Sequence, residues 1–255
     1  MTRGAQPVWS ISEQEGVRYL HFGSPLVQGA MRIARPYALE LEYTRDMMLP
    51  LLLRGSARWP SSVLQVGLGS GSITKFLHRY RPEARLVVVE LHEDVVDIAR
   101  NYFKLPEEGP KLRIELAEGF DYLARQRKPF DWIIVDGFDG DGHAGALDSA
   151  SFYHSVRAHL TEQGMLSVNL VGKRVNQRAA RDRISNAFEE RLVSMERDGD
   201  GNSIVVAAVG DRIECPAAKL RTNGAALQKE THVEFASTVE RALGKVAMSG
   251  GPFRL

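Results

Sequence analysis

Apolar positions along this chain change period at regular intervals. Val63, Leu64 and Val66 make a short run that stops at Gly67, and beyond Ser72 the apolar residues Ile73, Phe76, Leu77 and Tyr80 recur at helical spacing. The same switch repeats. Runs at Val63–Val66, Leu86–Val89, Leu112–Leu116, Trp132–Val135, Met165–Leu170 and Ser203–Ala208 predict strands. Helices are expected between them: Val95, Ile98, Ala99 and Tyr102 share one face, Phe152, Val156 and Leu160 another, and Ile184 and Phe188 a third. Alternation of this kind predicts an α/β fold with a mostly parallel sheet and helices on both faces.

The flanks read differently. Val8–Ile11, then Val17, Tyr19 and Leu20, then Leu26, Val27 and Met31 are short runs separated by turn residues, Gln14-Glu15-Gly16 and Gly23-Ser24-Pro25. They predict a small antiparallel sheet. From Pro36 to Leu53 the spacing of Leu39, Tyr43, Met47 and Leu51 predicts one helix. Residues 1–55 are thus a small β-hairpin region with a linking helix, and residues 56–210 the α/β domain. Residues 211–255 form a partly helical extension. Within it, Arg212 to Gly224 reads as loop with some helix, and Val233–Val246 as an amphipathic helix through Ala236, Val239, Leu243 and Val246. The tail Ser249-Gly250-Gly251-Pro252 is expected to be mobile.

Chemistry concentrates where strands stop. Gly67-Leu68-Gly69-Ser70-Gly71 joins a strand to a helix, so the backbone can approach a ligand closely, and the N–H groups at the helix start favour an anionic or polar group. Tight packing is the bland reading of such a turn. Glu90 ends the run LVVV about twenty residues further on, placed to accept hydrogen bonds from two ribose hydroxyls. Glu118, after the third strand, suits a hydrogen bond to an adenine amino group, and Asp121 caps or begins a helix. The fourth strand delivers Asp136 into VDGFDGDGHAG, with Asp139 and Asp141 close behind. Carboxylates clustered there point to a cationic ligand, although Asp and Gly are also the commonest turn formers. Asp141 is read as a turn residue, His143 as a loop histidine, and Phe138 as a possible pocket wall or simple loop packing. No third glycine stands at Ile73 or Thr74, which disfavours a dinucleotide oxidoreductase.

Composition narrows the partners. With 255 residues, 44% hydrophobic and 25% charged, the chain is an ordinary globular protein. A net charge of +1 argues against a nucleic-acid surface. Cys215 is the single cysteine, so neither a disulfide framework nor a cysteine-rich metal site is expected, and before Pro216 it reads as a bystander thiol in a polar stretch. No apolar run reaches membrane-spanning length and MTRGAQPVWSIS carries no secretory core, so a cytoplasmic protein without a membrane partner is expected.

The segments GLGSGS, VVVELHEDVVDIARNYF, IELAEGFDYL, FDWIIVDGFDGD and SFYHSVRAHLTEQGMLSVNL together resemble the spermidine synthase (polyamine aminopropyltransferase) family over roughly residues 18–208. The resemblance implies a class I methyltransferase-like (Rossmann-like) sheet preceded by a small N-terminal β-domain, in a homodimer. It implies aminopropyl transfer from decarboxylated S-adenosylmethionine to putrescine or a related amine, without a metal. Residue by residue, it places Gln28, Gly67, Gly69, Ser70, Gly71, Glu90, Glu118 and Gly119 at the nucleoside. It places Tyr43, Asp136 and Asp139 at the amine, with Asp139 accepting its proton and Asp136 orienting it. The chain departs from the family at two acids. Ser70 stands where the loop G-G-G-D-G-G has its donor-binding aspartate, and His21-Phe22-Gly23 replaces L-D-G. An S-x-x-Q segment on an N-terminal strand is missing. Intact S-adenosylmethionine therefore fits as a donor as well, and a methyltransferase or a non-catalytic nucleoside-binding protein of the same fold remain alternatives.

Overall fold

The structure, a computed structural model, describes residues 9–23, 27–56, 58–137, 145–196, 201–244 and 252–255. Of the N-terminal expectations, Val8 and the turn and strand positions Ser24, Pro25 and Leu26 lie outside these residues. β1 (Trp9–Gln14), β2 (Val17–Phe22) and β3 (Val27–Arg32) form a three-stranded antiparallel sheet, as the short runs predict.

The helix expected from Pro36 to Leu53 is not continuous. The chain turns through residues 33–41, then forms α1 (Glu42–Asp46) and α2 (Leu49–Arg54). Pro50 supplies the reason. It has no N–H to give to the carbonyl of Asp46, and its ring would collide with that carbonyl in a continuous helix, so it sits in the first turn of α2 instead.

The α/β domain follows the predicted alternation. It runs β4 (Ser62–Val66), α3 (Ser72–Tyr80), β5 (Arg85–Glu90), α4 (Glu93–Tyr102), β6 (Leu112–Leu116), α5 (Gly119–Ala124) and β7 (Phe130–Val135). After a 3-10 turn at Gly145–Asp148 come α6 (Ala150–Ala158), β8 (Leu160–Leu170), α7 (Arg174–Ala187), β9 (Leu192–Glu196) and β10 (Ser203–Ala208). The sheet order is β6-β5-β4-β7-β8-β10-β9, with β10 antiparallel to both its neighbours and the other pairs parallel. Strand period two splits the core. Val63, Trp132 and Ile134 face one apolar cluster, and Leu64, Val66, Ile133 and Val135 face the other. Gln65 interrupts the pattern: it is buried, gives Nε2 to the Gly67 carbonyl at 2.8 Å and accepts from Thr74 at 2.9 Å.

The expectation for Leu160 needs correction. Leu160 starts β8 rather than closing a helix face. β9, an edge strand absent from the predicted set, reads Leu-Val-Ser-Met-Glu; it buries Met195 and pairs with β10. The stretch from Arg212, expected to be loop with some helix, runs non-helical to Pro216 and then enters α8 (Ala217–Thr231), which continues past Gly224; α9 (Ala236–Leu243) follows, and Val246 of the longer helix expected there lies outside the described residues. Gly224 lets the two helices touch, since a Cβ there would stand 2.9 Å from Val239 Cγ2. Cys215 is buried, not in an exposed polar stretch, in β11 (Glu214–Cys215), which pairs with β12 (Phe253–Arg254); burial pushes its thiol pKa up. Of the tail expected to be mobile, Ser249, Gly250 and Gly251 lie outside the described residues. The chain beyond Pro252 docks, with Phe253 and Leu255 buried. Among the described residues no helix is long and apolar enough to cross a membrane.

Candidate active site

The parallel strands β4, β5 and β7 end on one edge, and their tips are tied together through the glycine turn. Gly67 has φ +91, and a Cβ on it would lie 2.1 Å from the Asp136 carbonyl oxygen. The absence of a side chain is what lets the tips of β4 and β7 close. The Gly67 N–H bonds to the Val89 carbonyl at 2.9 Å and the Asp136 N–H to the Val66 carbonyl at 2.8 Å, so three strand ends are locked in register. The next residue, Leu68, donates its N–H to Glu90 Oε2 at 2.9 Å. Glu90 and Asp136 therefore flank the same two-residue stretch of backbone.

Glu90 is nearly buried. Its other oxygen accepts from the N–H groups of Leu91 at 2.8 Å and His92 at 3.0 Å, which fixes the carboxylate at the start of α4. Leu91 and Leu116, at the ends of β5 and β6, are exposed by 61% and 54%, an apolar surface beside an acid. Glu118 is the N-cap of α5 and accepts from the Asp121 N–H at 2.8 Å, so Asp121 lies in the first turn and the capping side chain is Glu118. Gly119 packs so close to Val66 that a Cβ would come within 2.5 Å of Cγ1.

The N-terminal sheet covers the glycine turn. The Gln28 carbonyl stands 3.3 Å from where a Gly69 Cβ would be, and Gly71 is the N-cap of α3. Ser70 is buried with its hydroxyl against Gly29. Ser70 Oγ and Ser72 Oγ are 2.9 Å apart, and Ser72 donates to the Ala30 carbonyl at 2.9 Å. The Ser70 side chain is thus committed to the seam beneath β3.

Asp136 carries the clearest electrostatic signature. Its Oδ1 accepts from Asn169 Nδ2 at 2.9 Å and its Oδ2 from the Tyr43 hydroxyl at 3.2 Å. Burial raises the Asp136 pKa above the ordinary carboxylate value, and the bonds from Asn169 and Tyr43 partly counter it. Burial, then the Asp136 charge, hold the Tyr43 phenol well above its usual value, so it stays a protonated donor. Asn202 Nδ2 in turn holds Asn169 Oδ1 at 3.0 Å and fixes the amide's orientation. Asn169 and Asn202 escape a reading for motifs. The one signal for Asn169 is a polar residue set in the apolar run of β8. Asp139, Phe138, Asp141 and His143 lie outside the described residues. A separate cleft of about 220 Å³ between α7 and β9 borders Asn202 and is lined by Arg174, Arg178 and Arg181 together with Glu196.

Residues 42–181 match the family model of the spermine/spermidine synthase domain. A polyamine aminopropyltransferase of Chromobacterium violaceum is 34% identical over 237 residues, 93% of this chain and 90% of that protein. One of Neisseria meningitidis serogroup A is 33% identical over 229 residues, 90% of this chain and 86% of that protein. Among solved structures, a probable spermidine synthase from Corynebacterium glutamicum superposes with a TM-score of 0.72 at 18% identity, covering 99% of this chain and 88% of that one. Human methyltransferase-like protein 13 in complex with SAH superposes at 0.67 with 22% identity, covering 75% and 93%. These two likenesses show the fold: a methyltransferase-like, mostly parallel sheet.

Proposed function

The chain belongs to the spermine/spermidine synthase family, a family of transferases, and from that premise we propose that it moves the aminopropyl group of decarboxylated S-adenosylmethionine onto an amine such as putrescine. The observation that carries this reading is the placement of Asp136. A carboxylate held by Tyr43 and Asn169 belongs to the residue whose backbone carbonyl closes on Gly67, one position before the Leu68 N–H that Glu90 holds.

In the proposed reaction the ribose hydroxyls donate to Glu90, whose backbone partners keep it oriented. Glu118 takes the adenine amino group, and Leu91 and Leu116 offer the base an apolar wall. The acceptor must attack as a neutral amine, yet alkylamines are mostly protonated at pH 7. Asp136 anchors the incoming ammonium, and Asp139 takes its proton. The nitrogen lone pair then forms the C–N bond at the carbon next to sulfur. The C–S pair returns to sulfur, the sulfonium becomes a neutral thioether, and methylthioadenosine leaves. Alignment of nitrogen, carbon and sulfur supplies much of the rate gain.

Ser70 favours a second reading of the donor. A neutral side chain buried against Gly29 leaves no acid at that position for the amine of a decarboxylated donor, and intact S-adenosylmethionine fits as well. Calorimetry with decarboxylated S-adenosylmethionine, S-adenosylmethionine and methylthioadenosine ranks the two. Tighter binding of the decarboxylated donor supports aminopropyl transfer; a preference for the intact donor supports a methyltransferase.

A further inference from the structure

Tyr43, the hydroxyl donor to Asp136, stands on a helix of five residues with no side-chain cap at its start. A helix that short does not persist by itself, because fixing the first turn costs more than its hydrogen bonds return. Tertiary contacts must place it. Ser167 Oγ donates to the Met47 carbonyl at 2.9 Å, which anchors the helix end to β8. Further anchors come from the C-terminal part of the chain, one of them the Arg45–Glu234 ion pair at 3.6 Å.

Asp46 lies three residues after Tyr43 and is fully buried. Arg241 holds it as a fork, Nε to Oδ2 at 2.9 Å and Nη2 to Oδ1 at 2.8 Å, and Thr238 Oγ1 adds a bond to Oδ1 at 2.7 Å. Thr238 and Arg241 sit three apart on α9, so they share a face. A forked guanidinium fixes a carboxylate in direction as well as distance. The partner helix α8 is itself tied down where Asn223 Nδ2 meets the Leu52 carbonyl at 2.7 Å. A buried carboxylate gripped this way has one seat, and the helix that bears it has one orientation.

We propose that Arg241 is a positioning residue: through Asp46 it sets the rotation of α1 and so keeps the Tyr43 hydroxyl on Asp136. The C-terminal helix pair, which lies beyond the stretch matched by the family model, is then part of how the site is built. This rests on the reading of Asp136 as the residue that holds the amine, but its test needs no turnover.

The experiment follows the Asp136 carboxyl carbon by NMR across pH in the full chain, with the signal assigned by its loss in Asp136→Asn. Asn169 and Tyr43 are the described groups bonded to that carboxylate. Tyr43→Phe removes a bond to the charged form, so the titration midpoint rises. Arg241→Met is expected to raise the midpoint in the same direction, and Arg241→Lys to restore part of it. Methylthioadenosine affinity should stay within twofold, because the glycine turn is untouched. Thr238→Val, a milder cut at the same carboxylate, is expected to give a smaller rise and serves if Arg241→Met does not fold. In the transfer assay kcat should fall roughly tenfold, the loss of one hydrogen bond to a charged group, with donor KM unchanged. The proposal is overturned if folded Arg241→Met or Thr238→Val leaves the Asp136 midpoint at its wild-type value while Tyr43→Phe moves it. An absence of aminopropyl transfer in the wild type, with the midpoints moving as expected, overturns the functional reading and leaves the positioning role standing.

Discussion

Adding one methyl group at Gly67 should separate the two halves of the site. In Gly67→Ala the new Cβ would begin 2.1 Å from the Asp136 carbonyl oxygen. An unstrained carbon contact needs about 3.5 Å, so the tips of β4 and β7 must part by more than about 1 Å. Backbone lies on both sides, and no flexible side chain can absorb the motion. Two costs combine. Alanine at φ +91 is strained, at ~1–2 kcal/mol, and overpacking adds ~1–3 kcal/mol. A loss of ~2–5 kcal/mol follows, a large share of the ~5–15 kcal/mol that holds a domain of ordinary stability. The functional cost is larger still, since a displacement of about 1 Å between reacting groups can reduce the rate ~100-fold. Urea unfolding measures the first effect and aminopropyl transfer the second. Folded Gly67→Ala with stability within ~1 kcal/mol of wild type and an unchanged rate would refute the argument that this glycine brings Glu90 and Asp136 to one place.

Other perturbations separate site from scaffold. Asp136→Asn should abolish transfer while stabilising the fold at pH 7. Burial raises the folded carboxyl pKa above its unfolded value, so the folded state prefers the neutral form and the advantage of the amide shrinks as pH falls through the folded pKa; thermal melts at pH 7 and pH 4 test this. Lys75 is fully buried, donates to the Phe103 carbonyl at 2.7 Å, and has its pKa lowered to about 7 by burial and then by Lys104. Its penalty on folding is full below that pH and fades as pH rises toward the unfolded lysine value. The gap amounts to at most ~4–5 kcal/mol, and losing the bond to Phe103 offsets part of it. Lys75→Met should therefore raise the melting temperature more at pH 6.5 than at pH 10. Ser70→Asp should lower stability without improving affinity for decarboxylated S-adenosylmethionine, because the side chain points into the buried seam at Gly29; melting and calorimetry on one sample decide it.

The sheet was readable because its chemistry is local. Apolar runs such as Trp132–Val135 are buried on both sides, and the period change after Ser72 marks strand and helix without reference to anything distant. Glu90 and Asp136 were readable as strand-end acids for the same reason. Asn169 was not, because its meaning comes from Asp136 on the neighbouring strand. That α8 is legible only as some helix within a loop, and not in its full length, has another cause. The face it buries carries Leu220, Gly224, Leu227 and Thr231, and a glycine and a threonine do not register as an apolar stripe. Gly224 is there for close approach to Val239, a fact about α9. The break between α1 and α2 was encoded in Pro50, but the apolar period of Leu39, Tyr43, Met47 and Leu51 ran through it undisturbed. The Asp46–Arg241 pair joins residues 195 positions apart, and no pattern in either segment announces it.

In the proposed reaction a nucleoside sulfonium and an amine meet across the glycine turn, with Asp136 holding the amine. Product analysis by mass spectrometry tests it most directly, using decarboxylated S-adenosylmethionine and putrescine with wild type and Asp136→Asn. Equal amounts of methylthioadenosine and aminopropylated amine are expected from the wild type. Neither product is expected from Asp136→Asn, even though that variant should still bind methylthioadenosine. Undiminished product from the variant, or no product from a wild type that binds the donor, would contradict it.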